Sequence, residues 1–411
     1  MKRIRDRVAG LDVHKDSVSA AVRLVEGGKV VGHKARFATT ASGLAQLADW
    51  LAGHDVTTVG MEATGVYWRP VYYSLEGLLD EVWLCNAQHV KNVPGRKTDF
   101  NDAEWLADVV AHGMVKPSFV PPPPIRELRE LTRYRKVTID GRTREWQRLE
   151  RLLQDAGIKL SSVASRLTLV SVRAMVEALI AGERDPEVLA GLAQGKLKAK
   201  IPQLQEALVA SRFAAHHATL ARTILDHVDY LDRAIATLSA EITERLSPFE
   251  GAVRLLCSIP GISRLTAEVI VAETGADMSA WPTAAHFAAW VGVAPASRES
   301  AGKRRPAGTR HGNTALCRAV IEAARAAART KDTRLAARYR LIAARRGPNK
   351  ALVALANTMM RIVHDLLTTG AVYHDLGGDY YDKRRHPEAQ TRRLTAQLER
   401  LGYQVTLTPA A

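Results

Sequence analysis

Apolar and polar positions alternate with a period of two in three early segments, RVAGLDV, SVSAAVRLV and KVVGHKARFAT, which predicts three strands. Gly27 and Gly28 supply the turn between the second and third. The period then lengthens: Leu44, Leu47, Trp50 and Leu51 form one stripe of a helix from Ala41 to His54. A strand around Thr57 to Met61, a helix from about Val66 to Leu78, a strand at EVWLC and a helix from about Asp99 to His112 complete the stretch. Beyond a run of prolines, an Arg-rich helical segment from Ile125 to Gly157 has the charge density of an exposed or self-associating helix. A heptad seam follows in Leu220, Ile224, Val228, Leu231, Ile235, Leu238 and Ile242, which predicts coiled-coil pairing within the chain or between protomers. A helix along its own domain's core would give the same pattern over so few heptads. From Gly251, LLCSIPGISRLTAEVIVAETG reads as helix, Pro-Gly turn, helix, the shape of a helix-hairpin-helix element or of an ordinary αα-hairpin. Further helices are predicted at Leu316 to Thr330 and Ala351 to Leu367, and the basic tail from Gly377 is expected to be only partly ordered.

Three strands, helix, strand, helix, strand, helix is the element order of an RNase H-like (RuvC-like) domain, and also of actin-like sugar kinases. A kinase of that class needs a second Gly-rich phosphate loop after a strand, which this sequence does not offer. The fold class predicted is α/β plus α: an N-terminal RNase H-like domain, a helical and coiled-coil middle, and a mostly helical C-terminal domain. Pro121 to Pro124 reads as a stiff polyproline spacer, because proline fixes φ and donates no backbone hydrogen bond. The predicted divisions are therefore 1–120, 121–250, 251–370 and a basic tail 371–411.

Composition adds a partner. Lys and Arg number 58 against 43 Asp and Glu, a net charge of +15, which favours a polyanion because each phosphate contact releases counterions. Charge alone does not separate DNA, RNA, an anionic membrane or a merely solvated surface. Cys85, Cys257 and Cys317 stand far apart with no CxxC pair, so neither a zinc site nor a disulfide framework is expected, and a reducing cytoplasm is the simplest setting. No apolar core of a signal peptide follows the basic start, and the most apolar stretch, Gly275 to Ala296, carries Asp277, Pro282 and His286, so no membrane span is expected.

Two constellations carry chemistry. Asp12 ends the first predicted strand and Glu62 the fourth, and these are neighbours in an RNase H-like sheet, where converging carboxylates call for a cation. Asp99 and Asp102 in KTDFNDAEWLAD share one helix face. An oxygen-only set of four suits Mg²⁺ or Mn²⁺, although the Asp pair taken alone reads first as an N-cap with a first-turn acid, and only the four acids together reverse that. The second constellation is ASRESAGKRRPAGTRHGN, where Ser300 stands beside Ala301 and Gly302, with Lys303, Arg304, Arg305 and Arg310 available to hold a phosphate. Alone, this is also a basic loop with an incidental serine, and Ser297 competes for the role.

GLDVHKD, GMEATGVYW, KTDFNDAEWLA, IPGISRLTAEVI, VGVAPASRESAGKRR and HGNTALCR, in that order from residue 7 to about 370, resemble the insertion-sequence one-ten family of transposases, relatives of the pilin-gene invertases. The resemblance implies that Asp12, Glu62, Asp99 and Asp102 are the DEDD tetrad of a RuvC-like domain and that Ser300 is the nucleophile of a C-terminal transposase domain. It further implies Mg²⁺, a composite site, a coiled coil between the domains, DNA as substrate and guidance by a noncoding bridge RNA; the heptad seam adds the expectation of a homo-oligomer, dimer or tetramer, assembled through it. A pilin-type DNA invertase and a RuvC-like endonuclease or junction resolvase are the alternatives, the latter needing no protein nucleophile. A non-catalytic nucleic-acid-binding protein would leave the acids as surface residues. Residues 125–250 match none of the motifs.

Overall fold

The computed structural model describes residues 4–63, 65–87, 90, 102–209, 212–296, 299–300, 302–304, 308–383 and 387–408. Its contacts divide the chain into two compact units, Met1–Val120 and Pro121–Ala411.

The first unit is built on strands β1 (Arg7–Val13), β2 (Ser17–Glu26), β3 (Lys29–Ala38), β4 (Thr58–Glu62) and β5 (Glu81–Cys85). They form one five-stranded sheet in the order β3-β2-β1-β4-β5. The β1–β2 and β2–β3 pairs are antiparallel; β1–β4 and β4–β5 are parallel. Helices α1 (Ala41–Gly53) and α2 (Trp68–Leu75) cover one face, where Leu44, Leu47, Leu51, Val71 and Leu75 meet Ala9, Leu11, Val13, Val59 and Met61. Thr40 starts α1 by accepting a hydrogen bond from the Gly43 amide. Helix α3 (Asp102–Ala111) covers the other face, with Leu106, Val109 and Val110 against Val8. Side chains alternate across a strand, so Val8, Gly10 and Asp12 face α3 while Ala9, Leu11 and Val13 face α1 and α2. Gly10 is required by this packing: a Cβ there would lie 1.9 Å from the Ala103 carbonyl oxygen. The predicted helix from Asp99 is seen from Asp102 onward; its earlier residues lie outside the described ones.

The second unit is helical. Pro123 and Pro124 do not form a free spacer; they open α4 (Pro123–Asp155), where a missing N–H costs nothing and the fixed φ is already helical. Nor is α4 the exposed helix its charge suggests. It buries Ile125, Leu128, Thr132, Arg135, Thr138, Glu145, Leu149 and Leu153, much of this against α5 (Ala215–Arg245). The two run antiparallel along their length, with Glu127 meeting Arg245, Arg142 meeting Asp232, Glu145 meeting His227 and Asp155 meeting His217. The heptad seam is thus filled within the chain. Its period holds for Val228, Leu231 and Ile242, which are buried, but the stripe begins at His217, Ala221 and Leu225, and Leu220 is 49 % exposed. Stepped back from Ile224, a seven-residue repeat takes three residues and lands on the buried Ala221, so the four-residue step to the larger Leu220 leaves the repeat.

Short helices between Leu160 and Val209 pack on the end of this pair that carries Leu149, Leu153, Ala221 and Leu225, and form one core with it. Around the opposite end stand α6 (Glu250–Cys257), α7 (Arg264–Thr274) and α8 (Ala284–Val291), then a ribbon of β6 (Glu299–Ser300) and β7 (Lys303–Arg304), then α9 (Thr314–Arg329), α10 (Arg334–Arg346) and α11 (Pro348–Thr369). Between α6 and α7 the chain turns at Pro260-Gly261. Gly261 (φ +90°) is packed on α9, where a Cβ would come 2.5 Å from the Ala323 carbonyl oxygen. The tail is docked where it begins: the Tyr373 amide donates to Ser258 Oγ, Gly378 lies on Asp332, and Tyr380 lies under the Arg334 guanidinium. Among the described residues no helix is long and apolar enough to cross a membrane.

Candidate active site

Strand register places the first acids. Leu11 pairs with Met61 across the parallel β1–β4 ladder, so the next residues, Asp12 and Glu62, lie side by side at the carboxyl ends of adjacent strands. Both continue the alternation of Gly10 and Gly60, whose missing Cβ atoms are filled by Ala103 and Val110 of α3, so both stand on the α3 face. Helix contacts step from Asp108, paired with Arg23 opposite Val8, to Ala103 over Gly10. The N-terminal end of α3 is therefore the end nearest Asp12 and Glu62, and Asp102 is its first residue. One Asp102 oxygen, Oδ1, is sealed from solvent. Asp99 lies outside the described residues. Among the described residues no three His, Cys, Asp or Glu side chains gather closely enough to hold a metal ion, so the three acids share a face without closing on one point.

Two neighbours of these acids escape a reading of the sequence. His14 Nε2 lies 3.0 Å from Asp12 Oδ2, a contact made by the bend after β1; the only trace of it in the sequence is the short Asp-Val-His spacing. Cys85 pairs with Glu62 across β4 and β5. Burial, with the Glu62 carboxylate adding to it, pushes the Cys85 thiol up to about 12, so this cysteine stays protonated and packs as a small apolar group.

The serine lies in the second unit. β6 and β7 form a hairpin in which Ser300 pairs with Lys303 and Glu299 with Arg304, closed around Gly302 (φ +72°). Lys303 and Arg310 are exposed. Ser297 and Arg305 lie outside the described residues, and only the backbone of Ser300 and Arg304 is described. Below the hairpin the departing and returning chains meet: the Ala296 amide donates to Gly308 (2.9 Å) and Pro295 bridges Thr309. At the base, Gly312 is pressed against the end of α8, where a Cβ would sit 2.4 Å from the Gly292 amide nitrogen and 2.5 Å from the Trp290 carbonyl oxygen. This close approach accounts for the glycines of VGV and HGN at the two ends of the basic loop.

Asn313, the last residue of HGN, is fixed three ways. Its amide donates to Trp290, its Oδ1 caps α9 by accepting from the Leu316 amide, and its Nδ2 donates to Glu273 Oε2 at 2.6 Å. Glu273 on α7 has a fully buried side chain and also receives Arg133 in a bidentate pair, 2.7 and 2.9 Å, and Arg129 at 3.1 Å. Five residues earlier, Glu268 pairs with Arg135, both almost fully buried, and with Arg264. Sequence reasoning missed Glu268 and Glu273. The available signal was two carboxylates inside the apolar run LTAEVIVAET, which a buried helix tolerates only opposite cations, here those of RELTRYR.

Two family profiles match the chain in order. One, described as a transposase and representing the DEDD domain of this class, matches residues 9–158; the other, described as the IS116/IS110/IS902 transposase family, matches residues 253–340. Together they span more than half of the chain. A probable family 20 transposase of Pseudomonas aeruginosa is 26 % identical over 80 % of this chain and 89 % of its own length. The transposase of insertion sequence element IS1111A from Coxiella burnetii is 27 % identical over 89 % of this chain and 91 % of its own. A 42 kDa protein of insertion element IS900 from Mycobacterium paratuberculosis is 27 % identical over 72 % of this chain and 81 % of its own. DEDD transposase domains generally use a divalent metal, and a transposase acts on DNA. With an α/β domain that presents acids at the ends of parallel strands, and a helical unit that carries a basic serine hairpin, the chain belongs to the IS110 family of DNA transposases.

Proposed function

We propose that this transposase cuts and rejoins DNA through Ser300, with Asp12, Glu62, Asp99 and Asp102 as the holders of Mg²⁺ or Mn²⁺. The observation that carries the metal half is the parallel register of β1 and β4, which sets Asp12 beside Glu62 on the face covered by α3. Oxygen donors of this kind suit a hard divalent cation, which would supply Lewis-acid stabilisation of a phosphodiester oxygen. His14, in contact with Asp12, would hold that carboxylate's orientation.

For the serine half, support comes from a hairpin with an anchored base and exposed Lys303 and Arg310, joined in sequence by Arg304 and Arg305. These cations would grip the scissile phosphate and offset the charge that grows on it. As the Ser300 Oγ–P bond forms, the P–O3′ bond breaks; the hydroxyl proton passes through solvent to the departing 3′ oxygen, leaving a 5′-phosphoserine. A 3′ hydroxyl from the other strand reverses the step and releases the serine. The phosphodiester is conserved as an enzyme ester, so rejoining needs no external energy source. The net charge of +15 suits a nucleic-acid partner, and we read the family's noncoding bridge RNA as the guide and a homo-oligomer as the working form.

Asp12→Asn should abolish strand exchange while leaving DNA binding largely intact, because one ligand is lost and the basic surface remains. Unchanged recombination would overturn the metal reading. Protein stripped of nucleic acid at high salt and assayed with and without the element's noncoding RNA tests the guide, and full activity without RNA would remove it.

A further inference from the structure

We infer that Glu273 is a positioning residue of the strand-exchange reaction: through Asn313 it fixes the base of the Ser300 hairpin. The inference rests on the reading of Ser300 as nucleophile. Glu273 lies in no motif of the serine loop, and among the described residues the cations paired with it, Arg129 and Arg133, belong to α4, yet its carboxylate is where the loop's return chain is tied to the helical frame.

The chain of contacts is short. Helix α4 brings Arg129 and Arg133, one turn apart, onto Glu273, and Arg129 also donates through Nη2 to the Glu273 backbone oxygen at 2.5 Å. The same carboxylate accepts from Asn313 Nδ2 at 2.6 Å. Asn313 in turn caps α9 and donates its amide to Trp290, beside the Gly292–Gly312 contact from which the ribbon departs. A buried ion pair of this kind adds little net stability over an apolar replacement, because both charges lose their water. What it does supply is direction. A carboxylate accepts along fixed lone pairs, and Asn313 has two roles that agree in only one orientation, with Oδ1 toward the α9 amide and Nδ2 toward Glu273. The return chain of the ribbon is thereby set relative to α4, α7 and α9 together.

Glu273→Gln tests this, because its amide would face donors from Arg129, Arg133 and Asn313 with a single acceptor oxygen. Hydrogen exchange of the full-length protein reads the base directly. The amides of Ala296, Arg310 and Asn313 should exchange faster, by roughly tenfold if the opening is local, while those inside α7 and α9 keep wild-type protection. Covalent adduct formation at saturating DNA should fall roughly a hundredfold, the scale on which a misplaced reacting group loses rate, with DNA affinity unchanged. The double variant Glu273→Gln/Asn313→Asp reverses donor and acceptor, keeps an N-cap on α9 and retains a carboxylate near the arginines. It should recover both ribbon protection and rate. Wild-type exchange at the ribbon base in Glu273→Gln would overturn the inference. So would a folded double variant no better protected than the single. If Ser300→Ala still forms adduct while Glu273→Gln loosens the base, the nucleophile reading falls and the anchoring role stands.

Discussion

In the unit Met1–Val120 a carboxylate is placed by counting along a strand: Asp12 follows Leu11, Leu11 pairs with Met61, and Glu62 must then stand beside Asp12. In Pro121–Ala411 the serine hairpin is placed by groups far away in sequence, with Arg129 and Arg133 reaching 140 or more residues to Glu273, and Glu273 reaching 40 to Asn313. Backbone ladders are insensitive to most side-chain changes, since their hydrogen bonds belong to the main chain. An anchor of buried charges depends on every member, and removing one leaves the others desolvated and unpaired. The strand-end acids should therefore tolerate substitution around them except where helix and sheet backbones touch, and the ribbon should be sensitive to single polar changes at its base.

Gly10→Val attacks the exception in the first unit. Its side chain would drive into the Ala103 carbonyl, so α3 must leave the sheet, at a cost of more than about 3 kcal/mol. Chemical denaturation should show the loss, and full stability would mean that α3 is held elsewhere. Gly312→Ala, which meets the Gly292 and Trp290 backbone, should cost about 2 kcal/mol, because a surface ribbon can shift where a helix packed along a sheet cannot. It should nonetheless lower adduct formation with DNA binding preserved.

The helical pair allows a finer distinction on one element. Val228→Glu places a charge in the buried seam and should destabilise the second unit by about 3 kcal/mol, with unfolding rather than loss of oligomer mass as its first effect. Leu220→Glu, on the exposed side, should stay within about 0.5 kcal/mol. A drop in mass by light scattering for a still-folded Leu220→Glu would instead reveal a contact between protomers.

How much of this was readable beforehand follows the same division. All five strands, α1 and the ends of α4 lie within a few residues of where periodicity puts them, because alternation and turn glycines are local signals. The places of Asp12, Glu62 and Asp102 on their elements are legible for the same reason: a strand end and a helix first turn can be counted. At position 220 the seam leaves its own repeat, because the small Ala221 that the repeat requires carries a weaker apolar signal than Leu220, and α4 is not exposed because its arginines find buried carboxylates that no local pattern announces. Ser300 is singled out by its basic surroundings and its motif; the contact of Glu273 with Asn313 below its hairpin is not, since side chains that meet over 40 or 140 residues leave no periodicity.

The chemistry at Ser300 is decided by mass spectrometry of a denaturant-stable protein–DNA adduct, trapped during strand exchange by the wild-type protein. The trapped adduct should carry a nucleotide joined through its 5′ phosphate to Ser300, and Ser300→Ala should form no adduct although it binds DNA normally. A nucleotide on Ser297, or an adduct that persists in Ser300→Ala, would contradict that chemistry.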